Sequence, residues 1–456
     1  MGTGQGKLPL DVVTDNALRK KKYEQDELEG TQPLMVTTSS DGGSAVAPIG
    51  NTPAARVLSR QARGYLSSLI IIGDSITSQN SQDLSNSISY MDTGYLTWAL
   101  GLAGVQIDFV RNAGIAGDTI QMIADRMASD VIPYQADAAL VQGGINGVTT
   151  ITPEAQFAIL RDQIWAPLIA RGSYVIDTAT PPRTIADGIT NLRVARLNAL
   201  RAQYWRDRAD GEFVDWYSDL TDTTNTACPY KTSYALDSPP THPSNLGAYV
   251  MGEKLAPVLQ RLFRSRALIA SPADTRQLDA TSNNIIDNPL FLGTGGTNGA
   301  GCSGTLAASW LGLCTGGVTA VHSTGAANSG VGQKQIAALT ATASGYYMLY
   351  TASVHSRAVV ADIIDAAARI KISSASNLNA IYLSLTSNTG SLVWGRKAGA
   401  SQAVLPSDFE LLAAQTKKGT LFAGTTSLQF TVRAEFAGAG SATFEIERAE
   451  LRNFGQ

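Results

Sequence analysis

The chain has 456 residues, 44% of them hydrophobic and 16% charged, with a formal net charge of −3. That length exceeds one ordinary core and implies two or three domains. The charge balance gives no footprint for nucleic acid, and no apolar stretch approaches the ~18 residues of a membrane span.

Residues 1–64 are polar. The first thirty lack the apolar centre of a secretory leader, so an extracellular role implies another route. Lys20-Lys21-Lys22 is followed by acids and fits the solvated face of a short helix over Asp15–Leu28. Ser, Thr, Gly and Pro then dominate from Thr37 to Pro53. This zone is expected to be an arm or linker that a neighbour must order.

Residues 65–267 alternate between apolar runs and helical patterns. Strands are expected at Leu69–Ile72, Val105–Val110, Ala138–Val141, Tyr174–Ile176 and Phe213–Val214. Helices are expected at Gly94–Leu102, Thr119–Met127, Pro153–Arg171, Leu192–Arg208 and Asn245–Phe263. Fully apolar strands between helices imply a parallel sheet covered on both faces, the α/β class. Chemistry in such sheets gathers at the carboxyl ends of the strands.

Residues 268–456 change to Gly, Ser, Thr and Ala with period-two alternation, as in Leu428, Phe430, Val432, Ala434 and Phe436. Ile381 to Leu385, then Ser387-Asn388-Thr389-Gly390, then Leu392 and Trp394 read as a hairpin. Several such strands predict an antiparallel, jelly-roll-like β-sandwich. Val359–Ala368 fits a short helix or an apolar strand. Trp310, Tyr346, Tyr347, Tyr350, Tyr382 and Trp394 can each pack a core or, if exposed, stack on sugar rings.

There are three cysteines. Cys302 and Cys314 flank a Gly-rich loop and can bridge in an oxidising compartment, while Cys228 stands alone. No Cys/His cluster has zinc spacing, and neither metal nor cofactor is expected.

Four short segments carry chemistry. Ser75, in Gly73-Asp74-Ser75-Ile76, follows the first strand, where a hydroxyl is exposed beside helix-start amides that can receive an oxyanion. The same tripeptide also suits a turn and N-cap. Asn112-Ala113-Gly114-Ile115-Ala116-Gly117-Asp118-Thr119 follows the second strand, and its glycines let the backbone approach a ligand. No Lys follows them, which disfavours a phosphate loop. Gly143-Gly144-Ile145-Asn146-Gly147 follows the third strand and offers a side-chain amide to developing negative charge. His242, in Thr241-His242-Pro243, is the one histidine of the first 320 residues and a natural base for a serine. His322 and His355 match no motif and are expected to be surface or structural residues.

In this order the segments resemble the SGNH, or GDSL-type, hydrolase family, through Ser75, Gly117, Asn146 and His242. The resemblance spans the middle zone. It implies a three-layer α/β/α fold and a serine esterase. Ser75 is the implied nucleophile and His242 the base. The amides of Ser75 and Gly117, with the Asn146 side chain, form the implied oxyanion hole. Two positions depart from the family pattern. Gly147 stands where Asp usually follows the Asn, and Pro239 stands where the orienting Asp usually precedes the His. Asp237 is the nearest carboxylate; a backbone carbonyl, Asp219 and Asp222 are the alternatives.

The domains are therefore expected as an arm (1–64), an SGNH-like hydrolase domain (65–267) and a carbohydrate-binding-like β-sandwich (268–456). The pairing implies O-acetyl groups on a polysaccharide as substrate. It also resembles virion-attached phage tail proteins that deacetylate surface polysaccharide. That implies virion partners through the arm and a virion or extracellular location, with the cytoplasm as the alternative; a third reading makes the sandwich the module of a homo-oligomer and the arm its anchor. The rival reading keeps the fold without catalysis, as a glycan-binding or structural virion or adhesin component.

Overall fold

The computed structural model describes residues 65–84, 87–183, 188–237, 241–270, 277–279, 282–398, 402–421 and 423–455, together with a small antiparallel pair, Val36–Thr38 with Ser44–Val46. The helix expected at Asp15–Leu28 lies outside the described residues, as does most of the arm.

Five parallel strands form the first sheet: β1 (Ser68–Gly73), β4 (Asp108–Gly114), β5 (Ala138–Val141), β6 (Tyr174–Thr178) and β7 (Gly211–Val214), in the order β4-β1-β5-β6-β7. Successive side chains of a strand point to opposite faces. Leu69 and Ile71 face α2 (Tyr95–Ala103) and α6 (Asn245–Leu262), with Trp98 and Leu255 in the same core. Ile70 and Ile72 face α3 (Ile120–Asp125), α4 (Pro153–Ile159) and α5 (Gly188–Trp205), with Ile123, Leu160 and Leu197. Both faces are covered at the central strands β1 and β5, which is why those two read as unbroken apolar runs. The chain reverses its direction of travel across the sheet between β1 and β5, and the crevice outside the carboxyl ends there is where such sheets bind ligands.

Some boundaries differ from expectation by three or four residues, among them the start of α5 at Gly188 rather than Leu192. β4 begins at Asp108 rather than Val105, because Gly104 caps α2 in the left-handed conformation and Val105 bridges to Ser265. The helix expected at Pro153–Arg171 is observed from Pro153 to Ala170, with a π-helical turn at Leu160–Trp165.

The second sheet is built on long antiparallel strands: β8 (Trp310–Ala326), β9 (Gln333–Thr351), β10 (Ile363–Ser387) and β13 (Leu428–Asn453), flanked by β11 (Ser391–Arg396) and β12 (Phe409–Gln415). Register shifts at Ser373–Ala380 bend β10. Its two ends return face to face: Gly419, paired with Ile364, packs on Leu392, which is paired with Leu385. The result is a β-sandwich. The segment left open at 359–368 is strand from Ile363 onward. Trp310, Tyr347 and Trp394 lie in the core, whereas Tyr346, Tyr350 and Tyr382 are half-buried on outer positions. Cys302 and Cys314 are free thiols with sulfurs 3.5 Å apart. That is well beyond the ~2.05 Å of a disulfide. His322 is buried between Asn298 and Tyr347, and burial pushes its imidazole down to about 4.

The two sheets are joined closely. A hairpin of β2 (Ser81–Leu84) and β3 (Ser87–Met91) leaves the first domain, and β3 pairs in parallel with β11 of the second. Trp98 packs edge-on against Trp394, Tyr249 and Phe409, and Trp394 Nε1 donates to the Thr97 carbonyl at 3.0 Å. Gly252 lets α6 cross α2 closely: a Cβ there would meet Trp98 Cβ at 2.6 Å. Buried Arg266 donates to both Asp365 and Glu450.

Candidate active site

The turn after β1 sets the serine. Asp74 is fully buried and caps the four-residue helix α1 (Ser75–Ser78), its Oδ1 accepting from the Ile76 amide at 3.0 Å. The capping and functional readings of Gly-Asp-Ser thus coincide. As the first residue of the helix, Ser75 has an amide that the helix itself does not use. Asn112 on β4 holds the turn from outside. Its Nδ2 donates to the carbonyls of Thr77 and Ser78 at 3.1 Å each, and its Oδ1 accepts from the Gly114 amide.

The histidine comes from a loop tied at its base. Ala235 bridges to Pro243, Leu236 N donates to the His242 carbonyl at 2.9 Å, and Ser244 N donates to the Tyr234 carbonyl at 2.9 Å. Ser244 then caps α6. Within the loop Asp237 Oδ1 accepts from the amides of Thr241 (2.7 Å) and His242 (3.0 Å), while its Oδ2 lies 2.5 Å from His242 Nδ1. On the other side of the ring, His242 Nε2 lies 2.8 Å from Ser75 Oγ.

Carboxylate, imidazole and hydroxyl therefore form one hydrogen-bonded chain across 167 residues of sequence. Such a chain can draw the proton from the hydroxyl and hold the imidazolium that results. Burial raises the Asp237 carboxyl, but the two amides and the imidazole outweigh it and hold the group below its ordinary range. The other carboxylates considered are engaged elsewhere: Asp219 with Lys254 at 3.1 Å, Asp222 with Thr224.

The remaining two segments meet each other. Gly117 has a φ of +87°, is exposed, and has nothing within 4 Å of where a Cβ would stand. Asn146 Nδ2 donates to the Asp118 carbonyl at 3.0 Å, which fixes the amide beside the Gly117–Asp118 peptide and leaves one N–H for a ligand. Gly147 is buried, and a side chain there would meet Ile151 at 3.2 Å, so the position usually held by Asp is filled by packing.

Two groups escaped sequence reasoning. Arg126 joins the site's frame by donating to Asp118 Oδ2 at 2.6 Å and to the Gly73 carbonyl at 2.9 Å. The two flank α3, Asp118 just before its N-cap and Arg126 at its C-cap, and no periodicity in the sequence signals their pairing. Asp74 is the second. Burial pushes its carboxyl up to about 6, against the Ile76 amide and the charge of His242, which lower it.

Residues 71–250 match the GDSL-like Lipase/Acylhydrolase family. The matched stretch takes in the first strand's end, the serine turn and the histidine loop, so the likeness falls on the residues that form this site. Solved structures similar to it include an acetylxylan esterase of Geobacillus stearothermophilus, studied as a catalytic mutant (20% identity, 44% of this chain and 99% of that one, TM-score 0.34). Others are a lipase/acylhydrolase of Enterococcus faecalis (17%, 44% and 99%, 0.33) and a GDSL-like lipase of Bacteroides thetaiotaomicron (16%, 45% and 96%, 0.33). No curated protein matches the chain. Among the described residues no group of His, Cys, Asp and Glu could hold a metal ion, and no helix is long and apolar enough to cross a membrane.

Proposed function

We propose that this protein is a serine esterase that removes O-acetyl groups from a polysaccharide. The observation that carries the reading is the Asp237–His242–Ser75 chain of hydrogen bonds. Ser75 Oγ attacks the ester carbonyl carbon as His242 Nε2 takes the hydroxyl proton. The oxyanion is held by the amides of Ser75 and Gly117 and by Asn146 Nδ2. The C–O bond to the sugar then breaks, and the leaving oxygen receives the proton from His242. Water attacks the acetyl-serine, gives its proton to the same nitrogen, and acetate departs as Ser75 regains its hydrogen.

A polymer-borne ester is supported by the openness of the site. Ser75 is only half-buried and Gly117 is exposed, so an acyl group can reach the hydroxyl without its carrier entering a closed pocket. An acetyl group also needs little apolar volume. The setting we propose is a virion, with the polar arm 1–64 as attachment. What supports it is the arm's composition beside a catalytic domain and a sandwich. Deleting the arm is expected to leave turnover intact and abolish incorporation into particles; incorporation without it contradicts that setting.

The test of the activity is release of free acetate from O-acetylated polysaccharides by wild type and by Ser75→Ala. Wild type should release acetate, and the variant should not. Asn146→Ala should lose about a hundred- to a thousand-fold in kcat. Absence of acetate release from every acetylated glycan, with no turnover of aryl acetates, would overturn the reading.

A further inference from the structure

The second sheet carries a feature that the esterase chemistry does not use. Register places Tyr346 on β9 opposite Glu435 on β13, and Arg433 on β13 opposite Tyr382 on β10. These residues alternate with buried Tyr347, Ala434 and Ile381, so they stand together on the outer face of the sandwich. Two depressions lie on this face. One, of about 580 Å³, is bordered by Tyr382, Arg396, Lys397 and Glu435 with the hydroxyls of Ser384 and Thr386. The other, of about 400 Å³, is bordered by Tyr346, Asn379, Lys397, Gln402, Arg433 and Glu435. They share Lys397 and Glu435 and so form one trough.

Its chemistry is specific. Its lining includes three cations, Arg396, Lys397 and Arg433, and one carboxylate, Glu435; Arg396 donates to the hydroxyls of Ser87 and Ser89. That carboxylate is already occupied by Arg433 at 2.5 Å, the Tyr382 hydroxyl at 3.1 Å and Lys397 at 3.3 Å. Lining cations exceed lining carboxylates by two, three less one, with the buried Asp92 carboxyl within electrostatic reach of Lys397. The Arg433 guanidinium lies 3.4 Å over the Tyr346 ring, with Tyr382 at 5.2 Å, giving a flat aromatic and cationic platform. Polar atoms shielded from solvent there lack partners: both amide atoms of Gln402, Oδ1 of Asn379 and Nε of Arg433. Unpaired buried polar atoms are costly and call for a partner, either ordered water or a group bound in the trough. The orphans include donors and acceptors beside a positive field. A ligand rich in hydroxyls and bearing carboxylates answers all three requirements.

We propose that this trough is a non-catalytic binding site for an anionic saccharide chain of the uronate-bearing class. Its end is fixed to the catalytic loop. Asn245, three residues after His242 and the first of α6, donates through Nδ2 to the carbonyls of Asn379 (2.8 Å) and Ala403 (3.0 Å). A chain held in the trough is thereby kept in fixed relation to the imidazole. The proposal rests on the esterase reading only for its purpose, since binding here needs no hydrolysis.

The test uses the full chain as Ser75→Ala, with polygalacturonate as probe and dextran as its neutral counterpart, by titration calorimetry. Polygalacturonate should bind, more weakly at high ionic strength, and dextran should not. Lys397→Gln with Arg433→Gln should weaken binding at least about tenfold. In the wild-type background the same pair should leave aryl acetate turnover unchanged when assayed below the melting transition of each protein. If the double variant folds poorly, Lys397→Gln alone is read in its place. No binding of polygalacturonate, equal binding of dextran, or variants that bind as the parent overturn the site. Loss of the esterase reading appears separately, as absent turnover in a wild type that still binds.

Discussion

His242 reaches Ser75 because its loop is wound around a carboxylate. Asp237 accepts two backbone amides with one oxygen and the imidazole with the other, so it shapes the loop and orients the ring at once. Asp237→Asn is expected to keep the fold and lower kcat/KM by roughly a thousand- to ten-thousand-fold, because the amide cannot hold the imidazole in the required tautomer. Steady-state kinetics on an aryl acetate check this, and near-normal activity would reassign the orienting group. Asp74 gives a second prediction. Its folded pKa, about 6, lies above the unfolded value. Its contribution to stability is therefore present in full below pH 4 and lost as pH rises through about 6. Asp74→Asn should thus match wild type in denaturant midpoint at pH 4 and exceed it at pH 8, by up to about 3 kcal/mol. An equal gap at both pH values would show that the carboxyl does not titrate as described. The Ser75–His242 contact was legible because both residues sit at punctuated boundaries of elements, the same signal that marks Gly117 and Asn146 as candidates. Arg126 and the burial of Asp74 were not, because both depend on which segments the sheet brings side by side.

At the scale of elements, the central parallel strands β1 and β5 announced themselves as apolar runs, since burial on both faces removes any alternation. The hairpin 81–91 did not. Ser81-Gln82-Asp83-Leu84 is polar, and the strand that receives Ser87–Met91 begins at Ser391, some three hundred residues later. Local pattern cannot report a partner so distant. The start of β4 was misplaced for a related reason: Val105 is apolar because it packs beside the chain at Ser265. The crossing of α2 and α6 supports a direct test, because the helix that follows His242 is held there. Gly252→Val would push a Cβ to 2.6 Å from Trp98 and 2.9 Å from the Ala99 amide. A destabilisation of about 1–3 kcal/mol in chemical denaturation is expected. An unchanged midpoint would mean the helices separate freely.

Over the whole molecule, the shared hairpin, the Trp98–Trp394 contact and the buried Arg266–Asp365–Glu450 cluster join the hydrolase sheet to the sandwich. Removing one partner of a buried ion pair or one large core ring costs several kcal/mol. The expected calorimetric trace is therefore a single cooperative transition. Trp394→Ala should lower it by about 3–5 kcal/mol of stability while esterase activity is lost at the same, lower temperature. Two well-separated transitions, with activity following only one, would show that the halves melt independently.

The central claim is that Ser75 is a nucleophile activated by His242. Fluorophosphonate labelling followed by peptide mass spectrometry tests it most directly. The account predicts one covalent adduct, on the peptide containing Ser75, absent from Ser75→Ala and strongly reduced in His242→Ala. A wild-type protein that takes up no label, or takes it up equally in all three proteins, contradicts it.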